Sequence, residues 1–187
     1  MVTIRLASQS VSRAKILKDF GVEFVQTACD FDEDTIEALT PKEFVYLATL
    51  GKYKACKKKF GLEIPLLDAD TVVTANGKIL RKAKDKSDAK EILNLQSGNV
   101  TTIITCMIYE SKDLYFLDIA TTDYKFSQFK NDDLMKYLDS GEWKGKAGAC
   151  MVEGFCKKYI KEVRGLESTA MGLGVERLLP FIKNCDV

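Results

Sequence analysis

Apolar residues along this chain switch repeatedly between the two-residue period of strands and the 3.6-residue period of helices. Residues 3–6 read as a strand, and Ala14, Ile16, Leu17 and Phe20 then fall on one helical face, with Gly21 placed to end the helix. Val22, Phe24 and Val25 predict a second strand. Thr40-Pro41-Lys42-Glu43 is a capping box with proline at the first helical position, starting a helix through Phe44, Leu47, Ala48 and Leu50 toward Phe60 and Gly61. Residues 64–73, IPLLDADTVV, form a β-type run broken by two aspartates, and Asn76-Gly77 predicts a type I′ hairpin with KILRK returning. Ser87 is the expected cap of a helix through Ala89, Ile92, Leu93 and Leu95 that stops at Ser97-Gly98. Residues 100–109 and 114–126, rich in Thr, Ile, Tyr and Phe, predict a second hairpin. Asn131 is placed to cap a helix through Leu134, Tyr137 and Leu138 to Gly141; a strand over 155–163 and a helix over 175–182 complete the pattern. With no internal repeat, low-complexity tract or linker, residues 1–187 read as one mixed α/β domain.

Length and charge narrow the function. The 187 residues suffice for one core and leave room for two lobes around a cleft. Lys plus Arg number 28 against 27 Asp plus Glu, so overall charge argues for no nucleic-acid or membrane partner and any anion site must be local. No apolar stretch approaches the ~20 residues of a membrane span and no signal peptide is visible, so a cytoplasmic location is expected. Six cysteines form no C-x-x-C pair and read as reduced, mostly buried thiols. Histidine is absent, which removes Ser-His and Cys-His nucleophiles and the usual zinc sites. Carboxylates, lysines and a hard metal held by oxygen ligands remain.

The first strand and helix carry the clearest candidate chemistry. Ser8, Ser10 and Ser12 precede Arg13 at a helix start, where free backbone N–H groups, hydroxyls and a guanidinium suit a phosphate. The P-loop pattern is missing, which disfavours a Walker-type ATPase. Asp68 and Asp70 stand two apart in a strand and share a face, so they sit at the strand's end or meet a cation, either a metal or a lysine. Arg81, Lys82 and Lys84 form a basic cluster after the hairpin, and Lys146 lies among Gly145, Ala147 and Gly148, small neighbours that let it reach a ligand. Lys52 and Lys54 read as surface lysines of the capped helix; Glu33 reads as a cation ligand or a solvated acid, and Glu153 as facing a base edge or pairing with a lysine.

Taken together, LASQSxSR at the N-terminus, Asp32-Glu33, DADT at 68–71, Lys82 after the NG hairpin, KAGA at 146–149 and Glu153-Gly154 resemble the Maf family of nucleoside triphosphate pyrophosphatases across essentially the whole chain. The resemblance implies a three-layer α/β fold with a mixed sheet, similar to that of the inosine triphosphate pyrophosphatases, with a cleft between two lobes. It implies hydrolysis of a nucleoside triphosphate to the monophosphate and diphosphate with Mg²⁺ or Mn²⁺, on pyrimidine or modified nucleotides. Members are often homodimers and have been linked to cell-division arrest, and a catalytically weak, nucleotide-binding regulator of septum formation is the alternative. Carried over by motif, Asp70 is the proton acceptor, Ser8, Ser10, Arg13, Lys52, Lys82 and Lys146 bind the triphosphate, and Glu33 with Asp70 holds metal. Ser12, Thr71 and Glu153 are the specificity positions.

Several positions depart from the family pattern: Val11 and Ser12 replace a proline and an arginine, Gly145 an acid, Cys150 a tyrosine and Gly174 a proline, while an inserted residue makes Lys52 and Lys54 compete for one role. Relatives preferring thymidine or uridine triphosphate share Thr71 but carry glutamine at the position of Glu153, whereas those acting on 7-methyl-GTP carry glutamate there and differ at Thr71. A carboxylate only accepts hydrogen bonds, so Glu153 implies a base that presents N–H donors.

Overall fold

In the computed structural model, which describes residues 3–150, 152 and 154–182, the apolar runs become the strands β1 (Ile4–Ala7), β2 (Phe24–Thr27), β3 (Leu66–Ala75), β4 (Lys78–Leu80), β5 (Val100–Glu110), β6 (Tyr115–Phe126) and β7 (Ile160–Arg164). They form one mixed sheet in the order β2-β1-β3-β5-β6-β7, with β4 paired to β3. β1 runs parallel to β2 and β3, whereas the β3–β4 and β6–β7 pairs are antiparallel. The helices are α1 (Val11–Asp19), α2 (Pro41–Phe60), α3 (Lys86–Gln96), α4 (Asn131–Ser140), α5 (Glu167–Ala170) and α6 (Val175–Ile182). No helix among the described residues is long and apolar enough to cross a membrane.

Contacts divide the chain into two compact units. One comprises Met1–Thr71, Ile104–Thr121 and Leu166–Val187; the other comprises Val72–Ile103 and Thr122–Gly165. In the first unit strand alternation sorts the core into two faces. Ile4, Leu6, Leu67 and Ala69 pack with Leu17 of α1 and Leu178 of α6, while Ala7, Leu66 and Ile108 pack with Tyr53 and Cys56 of α2. Helices therefore cover both faces, the three-layer arrangement that the family resemblance implies. The same alternation places Asp68 and Asp70 on the α2 face with Leu66.

Most of the local signals act as expected. The Thr40 hydroxyl accepts from the Glu43 amide at 3.1 Å and the Glu43 carboxylate accepts from the Leu39 amide at 2.8 Å. Asn76 and Gly77 both adopt positive φ, 50° and 75°, as a type I′ turn requires. Two cap assignments are corrected. α3 begins after Asp85, whose carboxylate accepts from Asp88, so Ser87 is already helical; α4 begins at Asn131 itself, with Lys130 before it and no side-chain cap.

The second unit holds two further corrections. Residues 155–159 form a 3₁₀ turn rather than the start of a strand, because Phe155, Cys156 and Tyr159 turn inward while Lys157 and Lys158 stay outside. That is a helical spacing, fixed by Phe155 stacking on Tyr137 at 4.5 Å between ring centroids and Tyr159 packing on Phe129 at 4.9 Å. The turn also brings Cys156 to Cys150, with a Cα separation of 6.4 Å, as a disulfide where the sequence predicts free thiols. Cys29, Cys56 and Cys106 are free, the last two buried.

Candidate active site

At the start of α1 the polar groups are held in fixed roles. Ser10 caps the helix, its hydroxyl accepting from the Arg13 amide at 3.3 Å. Ser8 is buried, and its oxygen accepts twice, from the Ser10 amide at 3.2 Å and from Arg13 Nη1 at 3.0 Å. A hydroxyl has one hydrogen and two lone pairs, so the Ser8 hydrogen remains available to an incoming acceptor. Arg13 also donates from Nε to the Gly172 carbonyl at 2.8 Å and from Nη2 to Thr71 Oγ1 at 3.2 Å. Three of its five donors are thereby used and two remain among the described residues. Ser12 is exposed, beside Val11 at 82% exposure.

Asp68 and Asp70 lie inside β3, not at its end, so their environment must answer for their charge. For Asp70 the answer is a lysine. Lys52 Nζ reaches Asp70 Oδ1 at 2.8 Å and Glu33 Oε1 at 2.5 Å. Burial works against the Lys52 ammonium, yet Asp70 and Glu33 outweigh it and hold the group above its ordinary value. Lys54, two residues along the helix and about 200° around it, is exposed, so of the two lysines Lys52 is the one that meets these carboxylates. Asp68 is fully buried and neither carboxylate oxygen has a hydrogen-bond partner among the described residues. Burial pushes its carboxyl up to about 7, offset only in part by the charges of Arg13 and Lys52. Arg13 in turn lies within the fields of Asp70, Asp68 and Glu33, although burial lowers it overall. The α1 start and the carboxylates therefore share one electrostatic neighbourhood.

Lys82 and Lys146 belong to the second unit. Lys82 bridges Ala147 in antiparallel fashion, and the Gly148 amide donates to the carbonyls of Leu80 and Arg81, each at 3.2 Å. Buried Gln96 donates to the Gly148 carbonyl at 2.6 Å. Gly148 and Ala149 both take positive φ, and a β-carbon on Gly148 would press on Val73 at 3.0 Å, so this turn needs its glycine. The backbone on either side of Lys146 is thus docked against the strand exit that carries Lys82. Lys146 is half-buried and Lys82 exposed, and neither has an acidic partner among the described residues. Glu153 lies outside the described residues.

A family model described as Maf-like protein matches residues 3–185. The chain belongs to this Maf-like family. A nucleoside triphosphate pyrophosphatase of a Nitratiruptor species is 56% identical over 183 residues, covering 97% of this chain and 99% of its own. One from Helicobacter pylori is 39% identical over 178 residues, covering 95% and 94%. Among solved structures, the Staphylococcus aureus Ham1 protein aligns with a TM-score of 0.47 and 16% identity over 66% of this chain and 71% of its own.

In this Maf-like chain the donor set fits a hard divalent cation. Glu33 and Asp70 already converge on one cationic point, the Lys52 ammonium, which shows that two carboxylates from separate segments meet around a single positive charge. Among the described residues no three Asp, Glu or Cys side chains gather into an all-protein cage. Two carboxylates completed by water and phosphate oxygens is the arrangement Mg²⁺ favours. Glu33 is brought there by the packing of Phe31 on α2, where a β-carbon at Gly51 would fall within the Phe31 ring. Gly51→Ala is expected to lift Phe31 and the following turn off α2, so that half-saturating Mg²⁺ rises several-fold in an activity titration while helix content stays constant. Wild-type metal dependence in that variant would separate Phe31 from the placement of Glu33.

Sequence reasoning missed the residues that gather around Arg13 from distant parts of the chain, Gly172 through its carbonyl and Thr105 and Thr169 beyond Thr71. No local pattern marks them. Only the glycine at 172, with φ 104°, hints at an unusual backbone.

Proposed function

We propose that this Maf-like protein is a metal-dependent nucleoside triphosphate pyrophosphatase, hydrolysing a (d)NTP to the monophosphate and diphosphate. The observation that carries this reading is the meeting of Glu33 and Asp70 at one cation position within the electrostatic reach of Arg13. A triphosphate bears close to four negative charges, and its cleavage is governed by positioning and charge stabilisation. Ser8 and Ser10 offer hydroxyl hydrogens, the start of α1 its amides, and Arg13 its two uncommitted donors. Lys82 and Lys146 serve as further phosphate contacts. Asp70 accepts the proton of the attacking water, and Lys52 counterbalances it until the substrate is in place. A bound Mg²⁺ or Mn²⁺, held by Glu33 and Asp70, supplies charge neutralisation and lowers the water's pKa.

The same reading treats residues 1–187 as one functional domain, cytoplasmic, without a nucleic-acid or membrane partner, and leaves a homodimer open. Ser12, Thr71 and Glu153 are the specificity positions, Thr71 acting through its contact with Arg13 and Glu153 favouring cytosine or guanine donors over thymine and uracil.

The test is product analysis. Purified protein with Mg²⁺ or Mn²⁺ is expected to release diphosphate and the monophosphate in equal amounts, and none in EDTA; release of orthophosphate, or no metal-dependent turnover, overturns the proposal. A kcat/KM panel over dTTP, UTP, CTP, GTP and 7-methyl-GTP addresses the base, and a clear dTTP or UTP preference would remove Glu153 from its role.

A further inference from the structure

Between Arg13 and α5 runs a chain of three hydrogen bonds. Thr105 Oγ1 donates to the Thr169 carbonyl at 2.7 Å, Thr105 Oγ1 and Thr71 Oγ1 are 2.9 Å apart, and Thr71 Oγ1 accepts from Arg13 Nη2 at 3.2 Å. The two ends fix the direction of the middle bond. A carbonyl can only accept, so the single Thr105 hydrogen is committed to Thr169; a guanidinium can only donate, so Thr71 receives from Arg13. Thr71 must therefore donate to Thr105.

Both threonines are constrained by this direction. Toward a ligand, Thr71 can present only a lone pair, which repels a phosphate oxygen and cannot bond a pyrimidine carbonyl. Its hydroxyl is held as an acceptor for Arg13 because Thr105, only 2% exposed, takes its hydrogen. α5 and the turn after it thus grip the guanidinium twice, through the Gly172 carbonyl on Nε and through the Thr169–Thr105–Thr71 chain on Nη2. Gly172 is needed for the close approach: a β-carbon there would stand 3.3 Å from both Arg13 Nε and Thr71 Oγ1.

We infer that Thr105 is a positioning residue for Arg13, acting through a one-way hydrogen-bond chain that also makes Thr71 a support of the guanidinium rather than a direct reader of the base. The inference rests on Arg13 as a phosphate ligand. Losing either hydroxyl loosens the Nη2 contact while Gly172 and Ser8 still hold Nε and Nη1, which weakens triphosphate binding and leaves the reacting atoms otherwise arranged.

The experiment compares Thr105→Val, Thr71→Val, the double variant and Thr105→Ser. Each valine variant is expected to raise KM for the triphosphate about tenfold with kcat within about threefold, the order of one charge-assisted hydrogen bond. The double variant is expected to be no worse than either single, because both break one chain. Thr105→Ser, which keeps the hydroxyl, is expected to stay within about twofold of wild type. Multiplying effects in the double variant, or wild-type KM in Thr105→Val, overturn the inference. If Thr105→Val fails to fold, half-buried Thr71→Val carries the KM comparison. A second readout is independent of turnover. NMR should show the two Arg13 Nη2 protons as separate signals in wild type and Thr105→Ser, merged by faster rotation about the Cζ–Nη2 bond in either valine variant; unchanged separation overturns the inference even if the protein hydrolyses no nucleotide. Absence of nucleotide turnover in the wild type, with the NMR result as expected, counts against the pyrophosphatase reading alone.

Discussion

Asp70→Asn is expected to lower kcat about a thousandfold, within the range seen when a general base is removed. The amide has nearly the shape of the carboxylate but no charge to attract a proton, and it is a poor ligand for a hard cation. Lys52 keeps its 2.5 Å contact with Glu33, so no buried ammonium is stranded and stability should change by only about 1 kcal/mol. The signature is therefore a collapse in turnover with an almost unchanged thermal melt. Diphosphate release followed across a Mg²⁺ titration makes the measurement: a rate that recovers at high metal would leave Asp70 as a ligand alone, and a near-normal kcat would remove it from the chemistry. The substitution would also end the competition between metal and Lys52 for the same oxygen, so any residual activity should depend on Glu33.

What the sequence revealed of this site follows from the range over which its physics acts. The capping box at Thr40, the turn at Asn76-Gly77 and the last helix, Val175–Ile182, are specified within a few residues, and they appear where the pattern puts them. The error at residues 155–159 is also local: an apolar, aromatic run reads as strand, although its inward residues follow helical spacing once Tyr137 and Phe129 are there to receive them. Choosing Lys52 over Lys54 needs the helix's rotation relative to β3, which sequence alone does not supply. Arg13 shows the limit more sharply. Its side chain is fixed by partners 58 and 159 positions away, Thr71 and the Gly172 carbonyl, and neither leaves a trace near residue 13. Residue types could indicate a phosphate site there, but not which donors would remain free.

Stability in the absence of metal is expected to fall as pH rises, and Asp68 is the cause. Its carboxyl is fully buried without a hydrogen-bond partner among the described residues and is pushed up to about 7, chiefly by burial, against an ordinary value of 3.8. Because the folded value lies above the unfolded one, the native state holds this proton after the unfolded chain has released it. The contribution is therefore most favourable below about pH 4 and is lost progressively until the native carboxyl itself ionises near pH 7. Between pH 5 and pH 8 the difference is about 2–3 kcal/mol, since each pH unit between the two values is worth ~1.4 kcal/mol. Asparagine cannot ionise, so Asp68→Asn should abolish that slope. The variant is expected to be the less stable at pH 5, where its amide gains nothing over a neutral carboxyl, and to gain on the wild type steadily toward pH 8. Urea unfolding in EDTA at the two pH values provides the check, and equal pH dependence in both proteins would mean that the Asp68 charge is met by a partner in solution. The metal-free condition matters, because a cation bound near Asp70 would stabilise the ionised Asp68 and flatten the wild-type slope. A slope that is steep in EDTA and shallow in Mg²⁺ would tie this buried acid to the cation position two residues away.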